Sequence, residues 1–214
     1  MNDFTEWEQE SQTEEDNSSV LLSIGDMMSG LLMIFALLFI TVSLQLSQRE
    51  KPKQDVIAEV ISALNSNDVN VEVNAKNGEV TLAESILFAE NSAELTPRGQ
   101  NFLQKFIPVY SNVIFSKPVY EDVITRVVIE GHTSSKGNYN ANLQLSLLRS
   151  FSVAEYIFSP KMQFKSKSKL SQKIISSGRG EIEARQEIDY PKDRKVTFQL
   201  QFKGEDLSDI FQRK

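Results

Sequence analysis

The rhythm of hydrophobic and polar positions changes several times along this chain, and each change marks an element. From Asn17 to Gln48 the residues are almost wholly uncharged, and the apolar stretch Val20 to Leu46 exceeds the roughly 20 residues needed to cross a bilayer. It predicts a transmembrane helix over 20–46. The preceding tail, residues 1–19, is acidic, and the apolar stretch is longer than the core of a signal peptide, so the helix is expected to stay in the mature protein. The polar run Gln48 to Gln54 contains Pro52 and reads as a break. Val56, Ile57, Val60, Ile61 and Leu64 then recur at helical spacing, which predicts a short amphipathic helix ending near Asn65 within a linker region, 47–68.

From Val69 the period falls to two. Val69, Val71 and Val73 alternate with polar residues, Asn77-Gly78 supplies a turn, and Val80 and Leu82 resume the alternation, which predicts a β-hairpin. Thr96-Pro97 is a helix cap followed by proline at the first helical position. Phe102, Leu103, Phe106, Ile107 and Tyr110 run down one face of that helix, and Pro108 is expected to kink or end it. A strand over Val123 to Glu130, a helix over Asn142 to Phe158, and strands near Lys173 to Ser177 and Lys195 to Phe202 follow. The sum is an α+β sandwich over 69–203, with helices on one sheet face, and a short C-terminal tail, 204–214.

Composition narrows the chemistry. The net charge of −6, with no basic patch, argues against nucleic acid as a partner. The absence of cysteine excludes disulfides and cysteine-based zinc or redox chemistry. With His132 as the one histidine, nothing points to an enzyme, a metal or an organic cofactor, and any chemistry rests on carboxylates or hydroxyls. His132 itself reads best as a packed, hydrogen-bonded strand residue.

Asp26 is the one ionisable residue between Asn17 and Gln48. It lies about six residues inside the apolar stretch, or roughly 9 Å at a rise of about 1.5 Å per residue. An aspartate at membrane depth costs roughly 2.5–3.5 kcal/mol on insertion scales and normally faces a partner helix or a wet cavity. Hydrocarbon disfavours the charged form, so a proton can be held there and released, which is what an ion carrier requires. Ser29 and Gly30, at i+3 and i+4, put a small and weakly polar patch on the same face. The plainer alternative is an interfacial or subunit-gluing aspartate.

Gly25-Asp26-Met27-Met28-Ser29, followed by the apolar run Leu31 to Phe39, resembles the membrane signature of MotB-type stator proteins. The resemblance implies that Asp26 is the proton carrier, with a proton or possibly a sodium ion as the coupling ion. It also implies two copies of the chain held by a MotA- or ZorA-like membrane ring subunit. Seven acidic residues and no basic ones precede the helix, whereas Arg49, Lys51 and Lys53 follow it. Charge alone would keep the C-terminal domain in the cytoplasm. The resemblance instead implies an inner-membrane protein with a cytoplasmic N-terminus and a periplasmic domain. In that family the segment after the membrane helix plugs the channel or pairs two copies; a domain-packing role for residues 56–65 is an equal alternative.

Glu130-Gly131-His132-Thr133-Ser134-Ser135-Lys136-Gly137, then Asn142, Leu145-Ser146 and Arg149, resembles the core motif of OmpA-like peptidoglycan-binding domains. Phe88 to Thr96, Gly178-Arg179-Gly180-Glu181 and Asp193-Arg194-Lys195-Val196 resemble further motifs of that family, in order. The implied peptidoglycan ligands are Thr133, Ser134, Asn142, Leu145, Ser146, Arg149 and Arg194. Independently of the name, Asn142, Ser146 and Arg149 share one helical face and form a polar strip, with Leu147, Phe151, Ala154 and Phe158 as the expected buried stripe. A guanidinium suits the free carboxylates of a stem peptide, and a salt bridge to a neighbouring acid is the alternative for Arg149. Where the family carries an aspartate to meet the amino group of diaminopimelate, this chain has Ser134. That departure leaves weaker binding, altered selectivity, or delegation to another residue such as Glu130.

The run Ile24 to Phe35 is most similar to the ZorB-type wall-binding subunits of Zorya anti-phage defence systems. The expected function is therefore the ion-conducting, wall-anchoring subunit of a proton-driven membrane motor, with defence as its output. The alternatives are a flagellar MotB-type stator subunit and a passive inner-membrane peptidoglycan anchor. A TolR- or ExbD-type subunit lacks the C-terminal motifs.

Overall fold

The computed structural model describes residues 3–185 and 189–204, with the backbone alone for 3–20 and 48–49. The expected tail 204–214 lies, but for its first residue, outside the described residues. The chain divides into two compact units, residues 1–50 and 51–214.

The first unit is helical. It belongs to α1 (Asp3–Ser66), and its side chains from Leu21 to Ser47 are exposed throughout. This is the one helix among the described residues that is long and apolar enough to cross a membrane. A continuous apolar surface of this extent needs lipid or a partner to cover it. The expected break at Gln48–Gln54 is not seen: α1 carries helical backbone through Pro52. Proline removes one N–H from the helical ladder, and here the flanking turns hold without it.

The second unit begins with the last turns of α1. Val56, Ile57, Val60 and Leu64 are buried in the core, so this segment is a domain-packing helix rather than a free linker. β1 (Glu72–Val73) and β2 (Val80–Ala83) pair antiparallel, Val73 opposite Val80, around a turn in which Gly78 takes φ 73°, a conformation glycine adopts freely. The hairpin's first strand is shorter than its alternation suggests.

A short helix, α2 (Glu84–Leu87), precedes α3 (Pro97–Ile114). Thr96 caps α3 by accepting the Gly99 N–H at 3.0 Å, with Pro97 at the first helical position. Pro108 does not end this helix, which runs six residues further to Ile114. Packing outweighs the lost bond: Leu103, Phe106, Ile107 and Tyr110 are all buried, and Phe106 and Tyr110 meet Phe198 edge to face at 5.1 and 5.9 Å.

α4 (Pro118–Val123) leads into β3 (Ile124–His132). Then come α5 (Tyr139–Phe158), α6 (Lys167–Ser171), β4 (Ile174–Gly180) and β5 (Lys195–Phe202). The sheet order is β1-β2-β5-β3-β4, with β3 and β4 parallel and the other pairs antiparallel. β3 and β5 are central, so both carry long buried runs. Strand alternation and the β3–β5 register place Ile129, Gly131 and Phe198 on the face that α3 and α5 cover. Glu130, His132 and Thr197 point to the other. This is the α+β sandwich expected, with helices over one sheet face.

Candidate functional site

α5 sets the geometry of the site, and it does so by lying unusually close to the sheet. A methyl group on Gly131 would come within 2.1 Å of the Ser146 carbonyl, and one on Gly178 within 2.6 Å of the Ser146 hydroxyl. Only glycine at both positions admits this approach. Ser146 is therefore fully buried: its hydroxyl accepts the Gly180 N–H at 2.9 Å and donates to the Leu143 carbonyl at 2.8 Å. It clamps helix to strand and does not line the cleft described below.

This close docking turns α5 the opposite way from the expectation. Asn142, Ser146 and Arg149 face inward, with Arg149 only 1% exposed, while Leu147 and Phe151 are 45% and 56% exposed. Ala154 and Phe158 alone of the expected apolar stripe pack against the core. A periodic polar strip normally faces water, but here each of its members finds a buried partner.

Arg149 Nη2 donates to Glu84 Oε1, at the start of α2, and its Nε donates to the Ser92 carbonyl at 2.9 Å. Burial pulls the guanidinium below its ordinary value and Glu84 opposes that shift. Arg149 thus takes the salt-bridge alternative. The second oxygen of Glu84 is held by Arg194 Nε at 2.8 Å, so two arginines share one buried carboxylate. No local motif in the sequence marks Glu84 for this role.

Asn142 Nδ2 donates to the Glu181 carboxylate and to the backbone carbonyls of Ser134 and Lys136, at 3.3 and 3.2 Å. It fixes the loop after β3 against α5. Above this loop opens a cleft of about 220 Å³, lined by Thr133, Ser134, Asn142, Leu145, Arg149 and Arg194 among others. Six of the seven wall residues expected from the sequence are thus brought together, and Ser146 is the exception. The Thr133 hydroxyl is buried and has no hydrogen-bond partner among the described residues.

The cleft also holds an acid that sequence reasoning missed. Asp189 Oδ1 lies 2.6 Å from Arg194 Nη1, and Ser134 lines the same cleft. The neighbouring Ser134 first, and then the positive charges of Arg194 and Lys136, hold this carboxyl below its usual range, with desolvation opposing. Glu130 does not reach the cleft, because strand alternation puts it on the opposite sheet face. There its carboxylate lies 3.3 Å from His132 Nε2 and 3.8 Å from Arg179 Nε, and His132 Nδ1 lies 3.7 Å from Glu183. The His132 imidazole is the main influence holding Glu130 below its ordinary value, with burial opposing. His132 is packed in the strand as expected, but neither ring nitrogen has an aligned hydrogen-bond partner among the described residues.

In the first unit, Asp26 lies on the exposed apolar stretch of α1. One turn on, Ser29 donates its hydroxyl to the Gly25 carbonyl at 2.8 Å, which satisfies it within the helix.

The sandwich, its glycine-floored helix and the cleft above β3 together define a class: the chain belongs to the OmpA family, whose model matches residues 87–197, just over half of it. A MotB-like protein from Desulfovibrio vulgaris shares the fold at a TM-score of 0.53 and 18% identity, over 74% of this chain and 96% of that one. Among particular proteins, the chain is similar to Zorya protein ZorB of Escherichia coli Crooks, 28% identical over 207 residues, 84% of this chain and 86% of that protein. It is similar also to Zorya protein ZorB of Escherichia coli O139:H28, 26% identical over 153 residues, 65% and 61% of the two chains.

Proposed function

We propose that this chain is the ion-carrying, wall-anchoring subunit of a MotB-like stator that works in Zorya-type anti-phage defence. Two copies sit inside a MotA- or ZorA-like ring, with the N-terminus in the cytoplasm and the OmpA-type domain in the periplasm. The domain holds peptidoglycan in the cleft around Arg194 and Thr133, and Asp26 takes up and releases the coupling ion. The chain performs no hydrolysis. Moving one elementary charge across the membrane is worth about 2.3 kcal/mol per 100 mV, so a single carboxylate per copy can drive a conformational cycle.

The observation that carries this reading is Asp26 itself, the one ionisable residue of a long, exposed, apolar helical stretch. A passive anchor has no use for a charge that opposes its own insertion. In cells that carry the chain with its ring partner, Asp26→Asn is expected to abolish phage protection while membrane insertion and protein level stay unchanged. Full protection by the Asn variant would leave the passive anchor as the function.

A further inference from the structure

The position where the family carries its ammonium-binding aspartate is Ser134 in this chain, yet the cleft beside it is not without an acid. Asp189, on the segment joining β4 to β5, lines the same cleft as Ser134 and lies 2.6 Å from Arg194 Nη1. Its side chain is 38% exposed, so a ligand can reach it. Glu84 is by contrast buried and fully taken up by Arg149 and Arg194.

The two positions fit each other chemically. An aspartate at 134 would press one carboxylate against another, and like charges in contact disfavour both being ionised. A serine there carries no charge and is compatible with the acid that shares the cleft. From this juxtaposition we infer that Asp189 receives the ammonium group, and Arg194 the carboxylate, of an amino-acid end presented by the cell-wall peptide.

A zwitterionic group can exchange with the Arg194–Asp189 pair without leaving either charge unmatched. A guanidinium fork suits the carboxylate, and the carboxylate of Asp189 accepts from the ammonium. The buried Thr133 hydroxyl, without a partner among the described residues, supplies one further polar contact on the cleft wall. Glu90 lines the cleft too and is the competing acid.

This inference rests on the wall-binding reading, and the test separates the two. The full chain in detergent is titrated with meso-diaminopimelate and with pimelate, which keeps the carboxylates but lacks the ammonium groups, and is co-sedimented with isolated sacculi. Wild type should bind sacculi and prefer diaminopimelate. Asp189→Asn should weaken diaminopimelate binding about tenfold, the scale of one charge-assisted hydrogen bond, and erase the preference over pimelate. Restoring the acid on the facing wall, as Ser134→Asp in the Asp189→Asn background, should recover it. Glu90→Gln should leave it intact. An unchanged preference in Asp189→Asn, or its loss in Glu90→Gln alone, overturns the role of Asp189 while wall binding stands. A wild-type chain that binds neither sacculi nor diaminopimelate overturns both.

Discussion

Arg149 and Glu84 form a buried ion pair that joins the middle of α5 to the first residue of α2, 65 positions earlier in the chain. Their side chains are 2% and 9% exposed, and Glu84 is shared with Arg194. Removing one partner of such a pair strands the other charge away from water, at a cost of about 3–5 kcal/mol. Arg149→Ala and Glu84→Ala should each lower stability by about that amount, measured by urea unfolding of the full chain in detergent and followed by circular dichroism. Arg149 therefore positions the cleft more than it faces the ligand, and loss of wall binding in Arg149→Ala should track loss of fold.

The approach of α5 to β3 and β4 depends on two missing side chains. Gly131→Ala would drive a methyl group to 2.1 Å from the Ser146 carbonyl oxygen, and Gly178→Ala would drive one to 2.6 Å from the Ser146 hydroxyl and from the Leu147 backbone nitrogen and side chain. Overpacking typically costs about 1–3 kcal/mol. The closer collision at 131, 2.1 Å against 2.6 Å, should put that variant at the upper end, with a lower thermal midpoint than Gly178→Ala.

Acid should weaken the domain through Glu130. Its carboxyl is held below its ordinary value in the fold, so its stabilising contribution is complete above the unfolded value, about 4.3 for glutamate. That contribution fades as pH falls through the lower, folded value. Glu130→Gln should make the fall in stability below about pH 4.3 shallower. Unfolding free energies measured across the acid range, wild type against variant, check the slope.

How much of this was legible in the sequence differs from element to element. Thr96-Pro97 and Asn77-Gly78 mark their cap and turn because that chemistry is local, and the same holds for the strand over Lys195 to Phe202. Pro52 and Pro108 mislead because a proline's cost is local, whereas what outweighs it at Pro108, the edge-to-face packing of Phe106 and Tyr110 against Phe198, comes from 90 residues away. The facing of α5 was misread for a related reason. Its polar strip turns inward because Gly131 and Gly178 make room and Glu84 neutralises Arg149, and helical periodicity encodes none of these. The cleft residues on the β3 loop were legible from their motif. Asp189 and Glu84 were not, since each is defined only by what the fold brings beside it.

In the membrane segment the sequence alone singles out Asp26, and the structure adds an apolar surface with no cover of its own. Conservative replacement offers a graded check there. Asp26→Glu keeps an ionisable group one methylene further out and should retain partial phage protection where Asp26→Asn retains none.

Proton flux is the most direct measurement. The full chain, purified with its ring partner and placed in liposomes under a pH gradient, should pass protons that a trapped pH dye reports. Asp26→Asn should reduce that flux to the level of protein-free liposomes while the complex stays assembled. Equal flux from the Asn variant would contradict Asp26 as the carrier.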